Sequence, residues 1–354
     1  MTTTKVQAAR IYFLDYARIF AFSSVLVGHL FSEDLTRIYT DTELHIFFRA
    51  LAEGLNHLCR FGGAGVVVFF MTSGYIISHV LQEETTLDFL IRRIFRIYPL
   101  FMFAILSEML LLSVTQNTPF PPLQEILPRL LLVGDFTGTP YGLGGVEWTL
   151  RVEVAFYVFM ALLKASGVLR LHTKLPIFLL LISLLVFYLP AFPNSFGWTD
   201  GYFNIFFPFL LIGILFQRHE AGHLKTNYFH IFVGVIFVMT LLKSQALQAK
   251  LNSSNFELFA LVIFYGLWRF REHLNGNFLV KTLSEMTYAV YLFHLWSWET
   301  LGVLVEKYGV AFLPNRLQRL ILLFAFCLLA AKTVEKYGIK LGRAISRNYT
   351  GKAK

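Results

Sequence analysis

A membrane-length apolar segment near the N-terminus reads FLDYARIFAFSSVLVGH, from Phe13 to His29, and it carries three ionisable residues. A helix turns about 100° and rises about 1.5 Å per residue, so Arg18 and His29 lie about 20° apart around the axis and about 16 Å apart along it. Asp15 stands three residues before Arg18, which is the spacing of neighbours on a helix surface. The pattern predicts a membrane-spanning helix with all three side chains on one stripe.

That stripe has two interpretations, which the spacing alone does not separate. In the first, Asp15 and Arg18 form a structural pair near the membrane boundary and His29 anchors the outer end of the helix. In the second, the stripe belongs to a functional site, because ionisable groups inside a span are costly and normally face a protein interior or a wet cavity.

The composition of the whole chain is that of a membrane protein. Of 354 residues, 56% are hydrophobic and 15% charged, with a mean hydropathy of +0.59. Apolar runs long enough to cross a bilayer recur throughout, and the polar stretches between them are too short for a separate soluble domain. We therefore expect an all-α fold, a polytopic membrane helix bundle that forms a single domain over residues 1–354.

About ten spans are expected from the apolar runs. Residues 120–133 are rich in proline and predict a re-entrant or interfacial segment, residues 32–60 an acidic, solvated outer loop, and residues 335–354 a basic cytoplasmic tail. The predicted spans are 11–31, 62–81, 97–115, 146–166, 175–192, 202–217, 228–243, 255–270, 283–303 and 317–334.

The charge of the chain bears on orientation and on partners. The net charge is +9, and roughly two-thirds of the basic residues fall on the side that holds both termini, which predicts cytoplasmic termini. This bias explains the basic composition without a nucleic-acid partner. Cys59 and Cys327 provide neither a disulfide framework nor a metal-ligand spacing, so no metal is expected.

Two clusters flank the second and third predicted spans. FLIRRIFRIYP (89–99) places Arg92, Arg93 and Arg96 at the inner end of the third span, where they suit either phosphate oxygens or anionic lipid. GVVVFFMTSGYIISHVL (65–81) is rich in small residues that let helices approach closely, and its Ser73 is a nucleophile or, more simply, a hydrogen-bonded core serine.

Two further clusters carry ionisable and aromatic side chains. EWTLRVEVAFY (147–157) opens the fourth span; its Glu147 and Arg151 have pairing distance at i and i+4, which leaves Glu153 free on another face. LSEMTYAVYLFHLW (283–296) repeats Tyr288, Tyr291 and His294 at steps of three. These residues are interfacial anchors, a satisfied core histidine, or parts of a site.

Together these segments resemble the acyltransferase 3 family of integral-membrane acyltransferases. Arg18, ten intervening residues and His29 match that family's first-helix motif. Four further segments are similar to family motifs in the same order, over residues 11–335. They are FFMTSGY (69–75), RRIFR (92–96), WTLRVE (148–153) and SEMTYAVYLFH (284–294). Thr149 stands where serine is usual, and Tyr16 and Ile19 replace glycines that are common beside the arginine.

The resemblance implies an activity and a location. Family members transfer an acyl group, usually acetyl from acetyl-CoA, to a carbohydrate hydroxyl, and many modify cell-envelope polysaccharides such as a lipopolysaccharide O-antigen or an exopolysaccharide. We therefore expect a multi-pass protein of the bacterial cytoplasmic (inner) membrane. Its partners would be membrane lipid, a carbohydrate or lipid-linked glycan acceptor, and envelope-assembly proteins.

The resemblance also suggests roles for individual residues. His29 is predicted as the general base, since histidine titrates near neutral pH. Glu153 either orients His29 or positions the acceptor, and Asp15, about 21 Å from His29 along the helix, fixes Arg18 instead. Arg18 in turn either faces the CoA or stabilises negative charge during the reaction. The other predicted site residues are Arg92, Arg93 and Arg96 for the CoA phosphates, and Ser73, Trp148, Tyr288, Tyr291 and His294 for the substrates.

A secondary transporter or flippase is the alternative from another class. Ten spans with ionisable residues inside the membrane suit a transporter, although its usual internal repeats are not evident between the two halves of the chain. Binding of immobilised CoA separates the alternatives, because an acyl-CoA enzyme is retained and a transporter is not.

Overall fold

The computed structural model describes residues 10–116, 119–139, 141–194, 200–248 and 255–350, and these residues form helices without a β-strand. Parts of the predicted tail, including Lys352 and Lys354, lie outside the described residues. The helices are α1 Tyr12–Leu30, α2 Ser32–Thr40, α3 Ile46–Cys59, α4 Gly63–Val80, α5 Thr86–Gln116, α6 Leu123–Leu130, α7 Gly134–Thr137, α8 Trp148–Ala165, α9 Leu175–Tyr188, α10 Tyr202–Glu220, α11 Thr226–Leu247, α12 Phe256–Arg269, α13 Phe278–Phe293, α14 Trp296–Tyr308, α15 Asn315–Ala330 and α16 Lys336–Thr350.

The all-α class and the apolar spans are confirmed, and the number of spans stays a prediction. Within the described residues, five helical segments are long and apolar enough to cross a bilayer, and α9 is a shorter apolar helix. The orientation of the termini likewise stays a prediction. The five segments are Tyr12–Leu30, Ile46–Val80, Thr86–Thr115, Thr226–Leu247 and Asn315–Tyr349.

Helix α4 lies at the centre of the bundle and packs against α1, α10 and α12. Its small residues allow this. A Cβ atom on Gly74 would lie 2.0 Å from the Leu210 carbonyl oxygen of α10, and one on Gly213 would lie 2.1 Å from that of Met71. The two backbones therefore meet at a crossing that only glycine permits, which confirms the close approach predicted for residues 65–81.

Several element boundaries differ from the sequence-based expectation. Helix α5 begins at Thr86, so the three arginines occupy its second and third turns rather than an end. The predicted span 283–303 breaks after Phe293 into α13 and α14. Residues 32–60 form the amphipathic helices α2 and α3 rather than a solvated loop, because apolar residues recur at helical spacing there.

Residues 120–133 and the C-terminal segment both contain helices. Short helix α6 occupies Leu123–Leu130, consistent with a segment too short to span. The predicted basic tail is ordered as far as it is described: α16 is an amphipathic helix that packs along α5. Amphipathic periodicity requires a partner for its apolar face, and α5 provides that partner.

Candidate active site

A narrow cavity lies between α1, α4, α8 and α13. These four helices carry the motif segments singled out from the sequence, except for the arginine cluster of α5. The wall is apolar and aromatic apart from the hydroxyl groups of two threonines and two tyrosines. The lining residues are Ala21, Phe22, Val25, Gly65, Val66, Phe69, Thr149, Leu150, Thr287, Tyr288 and Tyr291.

One face of α1 borders this cavity and continues beyond it in both directions. Phe22 and Val25 line its middle, Arg18 lies one turn before them, and His29 lies one turn after them. The predicted stripe is therefore real, and it separates two chemically different ends by about 16 Å of helix. We call them the arginine end, around Arg18, and the histidine end, around His29.

At the histidine end, His29 faces a second histidine. The ring centroids of His29 and His294 lie 5.3 Å apart, with the ring planes at 46°. His29 is exposed, whereas His294 is fully buried. Gly62 closes this end: a Cβ atom on it would lie 3.4 Å from His29 Nε2, and its backbone has a positive φ of 71°. A side chain here would crowd His29 and strain the turn.

The backbone around His294 sets its tautomer. Its Nδ1 lies 2.8 Å from the carbonyl oxygen of Tyr291 and 3.2 Å from that of Val290. Carbonyl oxygens only accept hydrogen bonds, so Nδ1 carries the proton and Nε2 presents a lone pair in the neutral ring. That Nε2 is buried and has no hydrogen-bond partner in the described part of the chain.

The tyrosines next to the cavity hold the helices together through their hydroxyl groups. Tyr291 Oη donates to the carbonyl oxygen of Val146 at 2.9 Å and accepts from Thr149 Oγ1 at 2.7 Å. Tyr288 Oη donates to the carbonyl oxygen of Ile97 at 2.9 Å. Thr149, the departure from the family's serine, keeps the hydroxyl that this bridge between α13 and α8 requires.

At the arginine end, carboxylates face the guanidinium groups. Arg96 Nη1 lies 2.5 Å from Glu335 Oε1, and Glu84 lies 2.7 Å from Arg92 and 3.9 Å from Arg93. The positions of Glu84 and Glu335 in the chain gave no signal for this pairing. About a third of the Arg92 and Arg96 side chains stays exposed, so both guanidinium groups can still contact a ligand.

Asp15 anchors the beginning of α1. It is buried, accepts hydrogen bonds from Arg10 at 2.6 and 3.0 Å and from Ser284 at 2.6 Å, and lies 3.6 Å from Arg18. The close ion pair is therefore with Arg10, which the sequence did not single out for this role. Arg18 keeps a looser contact and remains 31% exposed.

Glu153 lies toward the arginine end. Its Oε1 accepts hydrogen bonds from Ser73 Oγ at 3.1 Å and from Tyr157 Oη at 2.5 Å, and the charges of Arg96 and Arg93 act on it. Among the described residues no hydrogen bond joins Glu153 to His29. The geometry thus brings Ser73 and Glu153 together and leaves His29 beside His294.

The polar residues at the start of α8 form a separate buried network. Arg151 pairs with Glu147 at 2.9 Å, as its i, i+4 spacing suggested, and also with Asp135. Asp135 accepts from Tyr141 at 2.8 Å and from Tyr202. Asp135 comes from the loop between two predicted spans and was not foreseen. This network braces α7, α8 and α10.

Trp148 belongs to an aromatic cluster beside this network. Its ring centroid lies 4.8 Å from Phe206 and 5.3 Å from Tyr202. In the part of the chain that is described, no three His, Cys, Asp or Glu side chains are grouped as metal ligands.

Comparison with known proteins identifies the family. A family model described as an acyltransferase domain matches residues 11–332. The chain belongs to the acyltransferase 3 family. It is also similar to "Nodulation protein 10" of Rhizobium leguminosarum bv. viciae, with 24% identity over 318 residues that cover 77% of this chain and 84% of the relative. No solved structure matches.

Membership confirms the resemblance and the reaction class. This acyltransferase 3 protein is a multi-pass membrane acyltransferase, and the matched region contains all the residues that line the cavity, together with Arg18 and His29. Glu335 lies just beyond the match, which ends at residue 332. The individual roles of His29, Glu153 and the arginines stay predictions.

Proposed function

We propose that this protein transfers an acetyl or other short acyl group from acetyl-CoA to a hydroxyl group of a cell-envelope carbohydrate, such as a lipopolysaccharide O-antigen or an exopolysaccharide. The observation that carries the proposal is the two-ended cavity. Beyond its lining residues Phe22 and Val25, helix α1 carries Arg18 one turn before them and His29 one turn after them, where the ring of His29 lies beside that of His294. A polyanionic acyl carrier needs cationic side chains for its phosphates, and a hydroxyl acceptor needs a base for its proton.

The arginine end suits the phosphates of CoA. Arg92, Arg93 and Arg96 lie on adjacent turns of one helix, and guanidinium forks bind phosphate oxygens in pairs. Arg18 belongs with them, because the charge of Arg96 acts on it and because about 16 Å of helix separates it from His29. At that distance Arg18 contacts the carrier rather than the reacting carbonyl carbon.

The pantetheine arm then runs along the narrow cavity toward His29. The wall is apolar in its middle, where Phe22, Val25 and Val66 lie, which suits an extended, uncharged chain. This placement brings the thioester to the histidine end while the phosphates stay with the arginines. The acceptor enters from the exposed side of His29.

The transfer itself needs one proton to move and return. His29 takes the proton of the acceptor hydroxyl as its oxygen attacks the thioester carbonyl carbon. The carbon–sulfur bond breaks as the intermediate collapses, and the leaving thiolate of CoA takes the proton from His29. The ring of His294 lies beside that of His29, and its Nε2 has no hydrogen-bond partner among the described residues, so we assign His294 a part in keeping His29 in the tautomer that accepts a proton.

The developing oxyanion needs hydrogen-bond donors near His29. The tyrosine hydroxyls that line the cavity already donate to the carbonyls of Ile97 and Val146, so they are committed elsewhere. Helix α4 begins beside His29 with Gly62 as an N-cap that offers no side chain. The N–H groups of Gly63 and Gly65 in its first turn already donate to the Arg60 carbonyl oxygen and to Ser24 Oγ, so this helix would favour the negative charge through its dipole.

We place the protein in the bacterial cytoplasmic membrane with the arginine end toward the cytoplasm, where acyl-CoA is made. The positive bias of the loops supports this orientation. The histidine end then faces the opposite side, where a membrane lipid-linked or assembled glycan is available as acceptor.

The test measures the acetylation of envelope glycans by mass spectrometry in cells that carry the wild type, a deletion, or His29→Ala. The amount of the variant protein in the membrane is checked in parallel. Loss of an acetyl increment in both mutants supports the proposal and identifies the acceptor. An unchanged profile in the deletion strain rejects a glycan acceptor. If purified protein also ignores immobilised CoA, the transporter alternative replaces the proposal.

A further inference from the structure

The C-terminal segment carries one acidic residue that its sequence does not explain. Glu335 is the only carboxylate side chain between Lys307 and the C-terminal residue, in a stretch rich in lysine and arginine. A solvated position would be expected for it in a basic tail. Instead its side chain is 3% exposed and its Oε1 lies 2.5 Å from Arg96 Nη1.

The local backbone places Glu335 there. Residues Ala331–Glu335 form a π-helical turn between α15 and α16. Such a turn inserts an extra residue and rotates the side chains that follow, and π-turns occur frequently at functional sites. Here the rotation points Glu335 toward α5 and the arginine end of the cavity, where its charge also acts on Arg18 and Tyr288.

Helix α16 holds this arrangement against α5. A Cβ atom on Gly338 would lie 2.7 Å from Pro99 Cγ, and one on Gly342 would lie 2.4 Å from Phe95 Cβ. The two helices therefore meet at contact distance, with glycines four residues apart on one face. Farther along, Ser346 accepts from Arg92 at 3.3 Å and donates to Asp88 at 2.5 Å. The π-turn and α16 together thus contact two of the three clustered arginines, Arg96 and Arg92.

One oxygen of Glu335 is left without a partner. Glu335 Oε2 is buried and makes no hydrogen bond within the described residues. A buried carboxylate with one free oxygen is costly, and the one cation within ion-pair distance of it in the described part of the chain is Arg96, which is still exposed enough to meet a ligand phosphate. An incoming anion can therefore compete with Glu335 for Arg96.

We propose that Glu335 is an internal counter-ion of the donor site. It occupies Arg96 while the site is empty, competes with the phosphates of the acyl donor, and so weakens donor binding and favours release of the spent carrier. This inference rests on the proposed function, because it takes the anion at the arginines to be acyl-CoA. It makes Glu335 a residue that sets donor affinity and takes no part in the chemistry.

The experiment is titration of CoA into the full-length protein in detergent. Glu335→Gln keeps an oxygen for Arg96 and removes the negative charge, so we expect CoA to bind about tenfold more tightly. The gain should shrink only slightly at high salt, because the pair of Glu335 and Arg96 is partly buried and such pairs are screened much less than exposed ones. Glu306→Gln is the matched control: Glu306 pairs with Arg319 on the exposed surface, and its change should leave affinity unaltered.

The outcomes separate the inference from the proposed function. Equal or weaker CoA binding by Glu335→Gln, with normal binding by the wild type, overturns the counter-ion and leaves the acyltransferase proposal standing. No CoA binding by the wild type overturns both. General damage to the fold cannot mimic the expected result, because damage weakens binding.

A second pair of variants covers the case in which Glu335→Gln fails to accumulate. Arg96→Gln leaves the carboxylate of Glu335 uncompensated beside the ligand, whereas the double variant with Glu335→Gln removes both charges. We expect the double variant to bind CoA several-fold more tightly than Arg96→Gln alone. Equal affinities would refute the proposal.

Discussion

The two ends of the cavity use opposite electrostatic designs. At the arginine end, Arg92 and Arg96 each lie within 2.7 Å of a carboxylate. At the histidine end, no carboxylate lies within ion-pair distance of His29 or His294 in the described structure, and the hydrogen bonds of His294 go to backbone carbonyls. Paired charges hold guanidinium groups ready for an anion, whereas a base must keep a lone pair free.

The two arrangements explain how one apolar passage can serve two substrates. A carboxylate beside His29 would favour the protonated imidazolium and so remove the base. Free guanidinium groups without counter-ions at the other end would be expensive inside a membrane. The histidine end therefore excludes the carboxylates that the arginine end requires. The length of α1 between Arg18 and His29 keeps the two ends apart.

The largest expected effect comes from removing the base. His29→Ala should lower the transfer rate about 10²–10⁴-fold, because general-base catalysis contributes that much. CoA affinity should stay unchanged, since the phosphates bind at the other end. The measurement is turnover together with CoA titration on the purified protein. His230→Ala, an exposed histidine on α11, is the control. Loss of CoA binding in His29→Ala would break the division into two ends.

A smaller effect is expected at the arginine end. Arg96→Gln removes a charged donor, so CoA affinity should fall about tenfold to a hundredfold. Turnover at saturating donor should change only a few-fold. Arg319→Gln, which removes an arginine paired with Glu306 outside the cavity, should change neither quantity. A fall in turnover without a fall in affinity would place Arg96 with the chemistry instead.

A variant of Glu153 tests whether this residue acts on the acyl donor or on His29. Because it binds Ser73 and Tyr157 and not His29, Glu153→Gln should change the KM for the donor by up to about tenfold and leave the base limb of the pH–rate profile in place. Ser73→Ala, which removes only the neighbouring hydroxyl, is the companion variant. A displaced base limb would show that Glu153 acts on His29 after all.

The smallest effect concerns the bridge between α13 and α8. Tyr291→Phe removes the hydroxyl that bonds to Val146 and Thr149, so the free energy of unfolding should fall by about 1 kcal/mol. Thermal unfolding in detergent measures this change. Tyr228→Phe, at an exposed position on α11, should be neutral. A large loss of activity without loss of stability would instead make Tyr291 part of the chemistry.

Local patterns were sufficient for much of the architecture. The apolar runs predicted a helical membrane protein, and the spacing of Arg18, Asp15 and His29 predicted one stripe on α1, because helical period and side-chain spacing are properties of neighbouring residues. The i, i+4 pair of Glu147 and Arg151 followed from the same geometry. The motifs in their order also identified the family, which the match over residues 11–332 confirms.

Long-range pairing was decided by the packed structure alone. Glu335 meets Arg96, His294 meets His29 and Asp135 meets Arg151 across helices that are distant in the chain. No periodic signal encodes such contacts, because they depend on which helix faces which and on the rotation of each about its axis. The π-turn before α16 shows this most clearly: one extra residue in that turn makes Glu335, an acidic residue in a basic tail, the partner of the partly exposed Arg96.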